Sequence, residues 1–240
     1  MTSRTELLHK VLEAILKLSP SNRSINLEDI SSYTLISREQ VREILNTLNL
    51  SEEDLPLRGE KKVELVLRGL RLGINGEVLA RYLSWREFES LVTRLLSEIG
   101  YEAVWNVRLS HEGRRIQLDV LAYNGSLLLI IDCKRWNRPP SPSAESSIKE
   151  SQEKKLSFLK ELVENIGWEG KTHNVYLVPI VLSLYQPSRP ILEGHVFASI
   201  RNLSSVISFV ENSFFRLRSE VLKISKDLTL TDILQKLKKR

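Results

Sequence analysis

Apolar positions recur at helical spacing through the first third of the chain and at strand spacing through its middle. Leu8, Val11, Leu12, Ile15 and Leu16 fall on one side of a helix. The polar run "SPSNRS" ends that pattern, and Leu27 to Ser32 has the length of a short helix. Ser37-Arg38-Glu39-Gln40 has the Ser-x-x-Gln form of a capping box, opening a helix with Val41, Ile44, Leu45 and Leu48 inside. A further helix, with Val63, Val66, Leu67 and Leu70, ends at Gly73. This order fits a helix-turn-helix, with or without a wing; a three-helix packing or dimerising module gives the same pattern.

From Ser84 the period changes. "SWREFESLVTRLLSEIGY" is an amphipathic helix stopped by Gly100. Strands are predicted at "EAVWNVRLS", "RIQLDVLAY" and "LLLIIDC", the last two joined through Asn124-Gly125. The loop "NRPPSPS" leads to a long helix over 144–166, the strands "HNVYLVPIVL" and "HVFASI", and the helix "LSSVISFV". Strands alternating with helices on this scale predict an α/β fold. The expected division is a helical domain over 1–75, an α/β domain over 76–215 and a basic, helical tail over 216–240.

An Asn-Gly pair between two apolar runs is a strong hairpin signal. With Asn124 and Gly125 as the central turn residues, Asp119 faces Ile130, Gln117 faces Asp132 and Arg115 faces Lys134. Alternation then gives one wholly apolar face: Ile116, Leu118, Val120 and Ala122 beside Cys133, Ile131, Leu129 and Leu127. The other face carries Leu121 and Leu128, then Asp119, Gln117 and Arg115 beside Asp132 and Lys134. The two aspartates become diagonal neighbours, about 7–8 Å apart at the backbone.

Charge and composition narrow the reading. The formal net charge is +5, and residues 216–240 carry the whole surplus, with eight basic and three acidic side chains. A solvated helix end or a contact with a polyanion explains that tail equally well. No stretch has the ~18 apolar residues of a membrane span, and the N-terminus is amphipathic rather than a signal peptide. The single cysteine, Cys133, rules out an internal disulfide, which points to a reducing, cytoplasmic setting.

Two carboxylates at the end of a buried strand repel each other and need a cation. Mg²⁺, with Mn²⁺ as substitute, takes one or two carboxylates together with waters and phosphate oxygens. Asp119, Asp132 and the backbone carbonyl of Cys133 are the candidate ligands, and Lys134 projects from the same face. A metal that acidifies water beside a lysine suits phosphodiester hydrolysis; a structural Asp–Lys pair is the simpler alternative. Glu89 borders the apolar stripe of Trp85, Phe88, Val92, Leu95, Leu96 and Ile99, so it either snorkels to water or aims at the site, and the second is expected. On the long helix, Ile148, Gln152, Lys155, Leu159, Leu162 and Ile166 follow one line, polar at Gln152 and Lys155. That interruption either faces the aspartates or is solvated.

A helix with "FE", then "LLSEIGY", a hairpin with Asp119 and "DCK", then a helix with Gln-x-x-Lys, resembles the PD-(D/E)xK nucleases. Within them it is most similar to Mrr-type restriction endonucleases and archaeal Holliday-junction resolvases, over roughly residues 84–211. The resemblance implies a restriction-endonuclease-like core, a mixed central sheet flanked by helices, and Mg²⁺-dependent hydrolysis of DNA, structure-selective or restriction-like. By position, Asp119 matches the first motif aspartate, Asp132 the second acid, Lys134 the motif lysine, Glu89 the helical glutamate, and Gln152 with Lys155 the polar pair. Leu118 stands in place of the proline, and Asp132 in place of the more usual glutamate. Catalysis is therefore expected from Glu89, Asp119, Asp132, Lys134 and Gln152, with Glu89 joining the metal ligands. Arg115, Arg135, Arg138 and Lys155 are expected to meet nucleic acid, and homodimerisation is left open. A non-catalytic DNA-binding regulator with a nuclease-like fold is the competing expectation, and the same site could act on RNA.

Overall fold

The structure, a computed structural model, describes residues 4–19, 24–136 and 140–238. The chain divides into two units, residues 1–91 and 92–240, where the sequence placed a boundary at 75/76. The first unit contains α1 (Arg4–Leu18), α2 (Leu27–Thr34), α3 (Arg38–Thr47), α4 (Glu60–Arg71) and α5 (Gly76–Ala80). Its core is the predicted set of helical positions, with Val11, Leu12, Ile15, Ile30, Val41, Val63 and Val66 fully buried. Asn26 and Asp29 cap α2 reciprocally, and Ser37 caps α3. Leu35, in the left-handed region, closes α2 and leaves three residues between the two helices. The described residues of this unit hold no strand, so a winged form lacks its wing.

α6 (Trp85–Glu98) begins in the first unit and ends in the second. A capping box opens it: Ser84 N donates to Glu87 at 2.6 Å, and Glu87 N donates to Ser84 Oγ at 3.3 Å. The second Glu87 oxygen accepts Gly59 N at 3.0 Å, fastening the helix start to the turn before α4.

The second unit is a mixed sheet flanked by helices. Its strands are β1 (Glu102–His111), β2 (Arg114–Tyr123), β3 (Leu127–Lys134), β4 (Thr172–Ser183), β5 (Ile191–Leu192), β6 (His195–Ser199) and β7 (Glu220–Ser225). The order is β1-β2-β3-β4-β6-β5. β3 and β4 are parallel and are joined through α7 (Pro142–Glu164), the long crossover a parallel pair requires. β6 pairs with the end of β4 and β7 with its beginning. α7, α9 (Leu230–Lys238) and the sheet share a core of Leu121, Leu128, Ile130, Leu159, Leu162, Val175, Leu222 and Ile233. α8 (Leu203–Ser213) follows β6.

Three expectations need correction. First, the hairpin register lies two residues away from the one predicted: Tyr123 pairs with Leu128, and Val120 with Ile131. Asn124 Oδ1 accepts the amides of Ser126 and Leu127 at 3.1 and 2.8 Å, and Asn124 N donates to Leu127 O at 3.2 Å. This side-chain turn spans four residues instead of two. An even displacement keeps every β3 side chain on its predicted face. Asp119 and Asp132 now stand one step beyond the last pair, Val120–Ile131.

Second, the faces of the β1–β2 ribbon exchange partway along. Leu118 and Leu121 belong to one core cluster, as do Val107 and Leu109, with Val104 packed against it. Strict alternation would separate them. The exchange falls at Asn106, whose φ of 55° lies in the left-handed region between the pairs Trp105–Val120 and Val107–Leu118. Arg115 and Gln117 line a groove with Arg108 and Ser110, and neither aspartate is among its lining residues.

Third, residues 216–240 are not an appended helical tail. β7 is a sheet strand, and α9 buries Leu230, Ile233, Leu234 and Leu237. Of its basic residues, Arg218 is held by Glu153 at 2.8 and 2.9 Å. No helix among the described residues is long and apolar enough to cross a membrane.

Candidate active site

β3 lies between β2 and β4 and is buried on both faces, which explains its unbroken run Leu127 to Ile131. The charges begin where the strand ends. Asp132 is 1% exposed. Its Oδ1 meets Lys155 Nζ from α7 at 2.5 Å, and its Oδ2 meets Lys134 Nζ at 2.7 Å. Asp119, at the corresponding point of β2, accepts the Cys133 amide at 2.9 Å. The acids and lysines thus form one buried cluster at the carboxyl end of a central strand.

The two carboxyls respond differently to that setting. Burial pushes Asp119 up from the ordinary carboxylate value, and the neighbouring Asp132 charge pushes it further. Burial opposes ionisation of Asp132 too, but Lys155 and Lys134 outweigh it and hold that carboxyl below its ordinary value. One acid is thus held in its anionic form, and the other is biased toward its neutral form.

Gln152 is fully buried one turn before Lys155. Its Nε2 donates to Ile180 O at 3.2 Å, and its Oε1 has no hydrogen-bond partner among the described residues. The predicted polar interruption of α7 therefore turns toward the sheet, and Lys155 reaches the aspartates. Glu89 is buried on α6 in the first unit, where it accepts the indole N–H of Trp85. Arg135 follows Lys134 and is half-buried. Arg138 lies outside the described residues.

Arg115 lies elsewhere, on an exposed groove of the β1–β2 ribbon lined by Arg108, Ser110 and Gln117. Arg108 pairs across the strands with Gln117, and Ser110 with Arg115; Gln117 donates to Asn106 Oδ1 at 3.2 Å. Among the described residues, no carboxylate lines this groove. Sequence reasoning missed Arg108, although continuing the ladder from β2 into β1 would have found it. It also missed Glu145, a fully buried acid of α7 whose partners lie 43 and 44 residues away.

A second cluster joins His111, Glu112 and Glu161, whose ligand atoms lie within 4.8 Å of one another. The Arg114 guanidinium already bonds Glu161 and lies 4.0 Å from Glu112, so a cation is built in. It reads as a hairpin-to-helix ion cluster.

A mixed sheet flanked by helices, with paired acids and a lysine closing its central strand, is the architecture of the PD-(D/E)xK nuclease-like domains. Residues 80–154 match the Mrr catalytic-domain family model, described as "Restriction endonuclease", and that stretch is accordingly Mrr-like. No curated protein matches the sequence. Among solved structures, protein VC1899 from Vibrio cholerae is similar at 16% identity and a TM-score of 0.33. The match covers 88% of this chain and 56% of that one.

Proposed function

We propose that the second unit is a divalent-metal-dependent endonuclease that hydrolyses phosphodiester bonds of DNA, structure-selective or restriction-like, in the cytoplasm. The observation that carries this reading is the Asp119–Asp132 pair at the end of β3, with Lys134 and Lys155 on Asp132. Its donors are all hard oxygens, which suits Mg²⁺ or Mn²⁺ and not a softer ion. Asp119, Asp132 and the Cys133 carbonyl would hold the ion; the part assigned to Glu89 rests on the family resemblance alone. When bound, such an ion polarises the phosphate and makes coordinated water a nucleophile at neutral pH.

The chain's own groups do the rest. Lys134, with a quarter of its side chain exposed, reaches from buried Asp132 toward solvent. Its ammonium offsets charge that grows on the phosphate oxygens as the bond breaks. The spare carbonyl oxygen of Gln152 can accept from a water and so orient it. Arg108, Arg115 and Arg135 supply phosphate contacts along the backbone, which position substrate without reading sequence. The α2–α3 pair, with its three-residue turn, supports a separate DNA contact of helix-turn-helix type.

The test is incubation of the full chain with supercoiled plasmid, branched DNA, single-stranded DNA and RNA, with Mg²⁺ or Mn²⁺ and then with EDTA. Cleavage of DNA that stops with EDTA and is lost in Asp132→Ala and Lys134→Ala is the expected result. DNA binding without cleavage under either metal would establish the non-catalytic regulator instead, and cleavage confined to RNA would change the substrate.

A further inference from the structure

Among the described residues, Asp132 accepts no backbone amide; its oxygens are met by two ammonium groups, at 2.5 and 2.7 Å. A carboxylate buried to 1% exposure cannot stand uncompensated. Lys134 follows Asp132 on the same strand and is anchored in the ladder opposite Ser183. Lys155 comes from another element on a flexible four-carbon stem, and Asp132 is its one polar partner among the described residues. Its ammonium can therefore leave without breaking any other bond. The position it leaves, beside Oδ1 of Asp132 and near the repelled carboxyl of Asp119, is where a divalent ion gains most.

We propose that Lys155 is an exchangeable counter-cation of this site. It neutralises Asp132 when no ion is bound and competes with the ion for Oδ1. Once displaced, it presents its charge to the substrate phosphate. This rests on the reading of Asp119 and Asp132 as metal ligands. Lys155 is thus a positioning residue for metal loading, coupling occupancy of the site to the supply of a free ammonium.

The experiment is titration of the full chain with Mn²⁺ alone, without DNA, followed by the paramagnetic signal of free ion, for wild type, Lys155→Gln, Lys155→Met and Asp132→Asn. Removing the competing charge should tighten Mn²⁺ binding by about tenfold in both Lys155 variants, the size of one 1.4 kcal/mol step. The rise in melting temperature on adding Mn²⁺ should also exceed that of wild type, because only the folded state binds the ion. A Lys155 variant that folds only with Mn²⁺ gives the same answer by linkage. Binding that is unchanged or weaker in both Lys155 variants, yet lost in Asp132→Asn, overturns the exchange and leaves the metal site standing. Binding that survives in Asp132→Asn overturns both.

Discussion

Glu145 and Asp132 are both buried carboxylates, one in the first turn of α7 and the other met by a lysine farther along it. Glu145 accepts the amide and hydroxyl of Ser188 and the guanidinium of Arg189, each at 2.9 Å. Those donors are fixed: an amide in the chain, and a guanidinium that also donates to Pro142 O. Asp132 is met instead by ammonium groups on flexible stems. The first arrangement satisfies a charge permanently and ties the loop after β4 to α7. The second satisfies it with partners that can be replaced. Burial alone does not separate the two acids; the nature of their partners does.

Breaking the two acids in turn should separate chemistry from stability. Asp132→Ala should reduce Mg²⁺-dependent cleavage by several orders of magnitude and leave the circular dichroism spectrum unchanged, since Lys134 and Lys155 can both turn to water. DNA binding should persist or tighten, because a negative charge near the phosphates is gone. Glu145→Ala should do the reverse. It removes the acceptor shared by Arg189 and the Ser188 donors; because the Arg189 side chain is 39% exposed and screened by solvent, the loss is about 1–2 kcal/mol. Chemical denaturation should show that loss, while Mn²⁺ affinity stays at the wild-type value. Equal loss of stability in both variants would erase the distinction.

Acid sharpens the same comparison. Arg189 and the Ser188 donors outweigh burial and hold Glu145 below the ordinary carboxylate value. A depressed folded pKa stabilises the protein above the unfolded value, about 4.3 for glutamate, and that stabilisation disappears as pH falls through the folded value. Glu145→Gln should therefore be less stable than wild type at neutral pH and approach it as pH drops below the carboxylate range. Urea midpoints across that range measure the convergence; a constant gap would mean that the loss is one of packing.

Much of this was legible in the sequence, for identifiable reasons. The apolar run of β3 and the acids at its end follow from local pattern, and an even register error could not move Asp132 or Lys134 to the other face. Asn124 defeated the turn prediction because its side chain accepts the turn amides. The exchange of faces at Asn106 was hidden because a left-handed residue inside a strand leaves no periodic trace. β7 reads locally as a short alternating segment, and only the free edge at the beginning of β4 makes it a strand. Glu145 was silent because its partners come from a loop distant in sequence.

The smallest expected effect tests the ribbon against the acid cluster. Arg108 and Arg115 sit on one open face with Ser110 and Gln117, and no carboxylate among the described residues lines that groove to neutralise them. In the acid cluster, by contrast, both lysines are engaged by Asp132. The ribbon's charge is therefore available to phosphates without metal, while that of the cluster, on the proposed exchange, would be released only on metal loading. Every phosphate that a variant no longer neutralises should flatten the slope of log K against log salt by about 0.9. Arg108→Ala and Arg115→Ala should each change the slope by about that amount, equally for every DNA sequence, because backbone contacts carry no base information. Melting temperature should not change, since both side chains are exposed. Binding measured at several salt concentrations without metal is the check. A slope unchanged in the double variant would show that the backbone passes elsewhere.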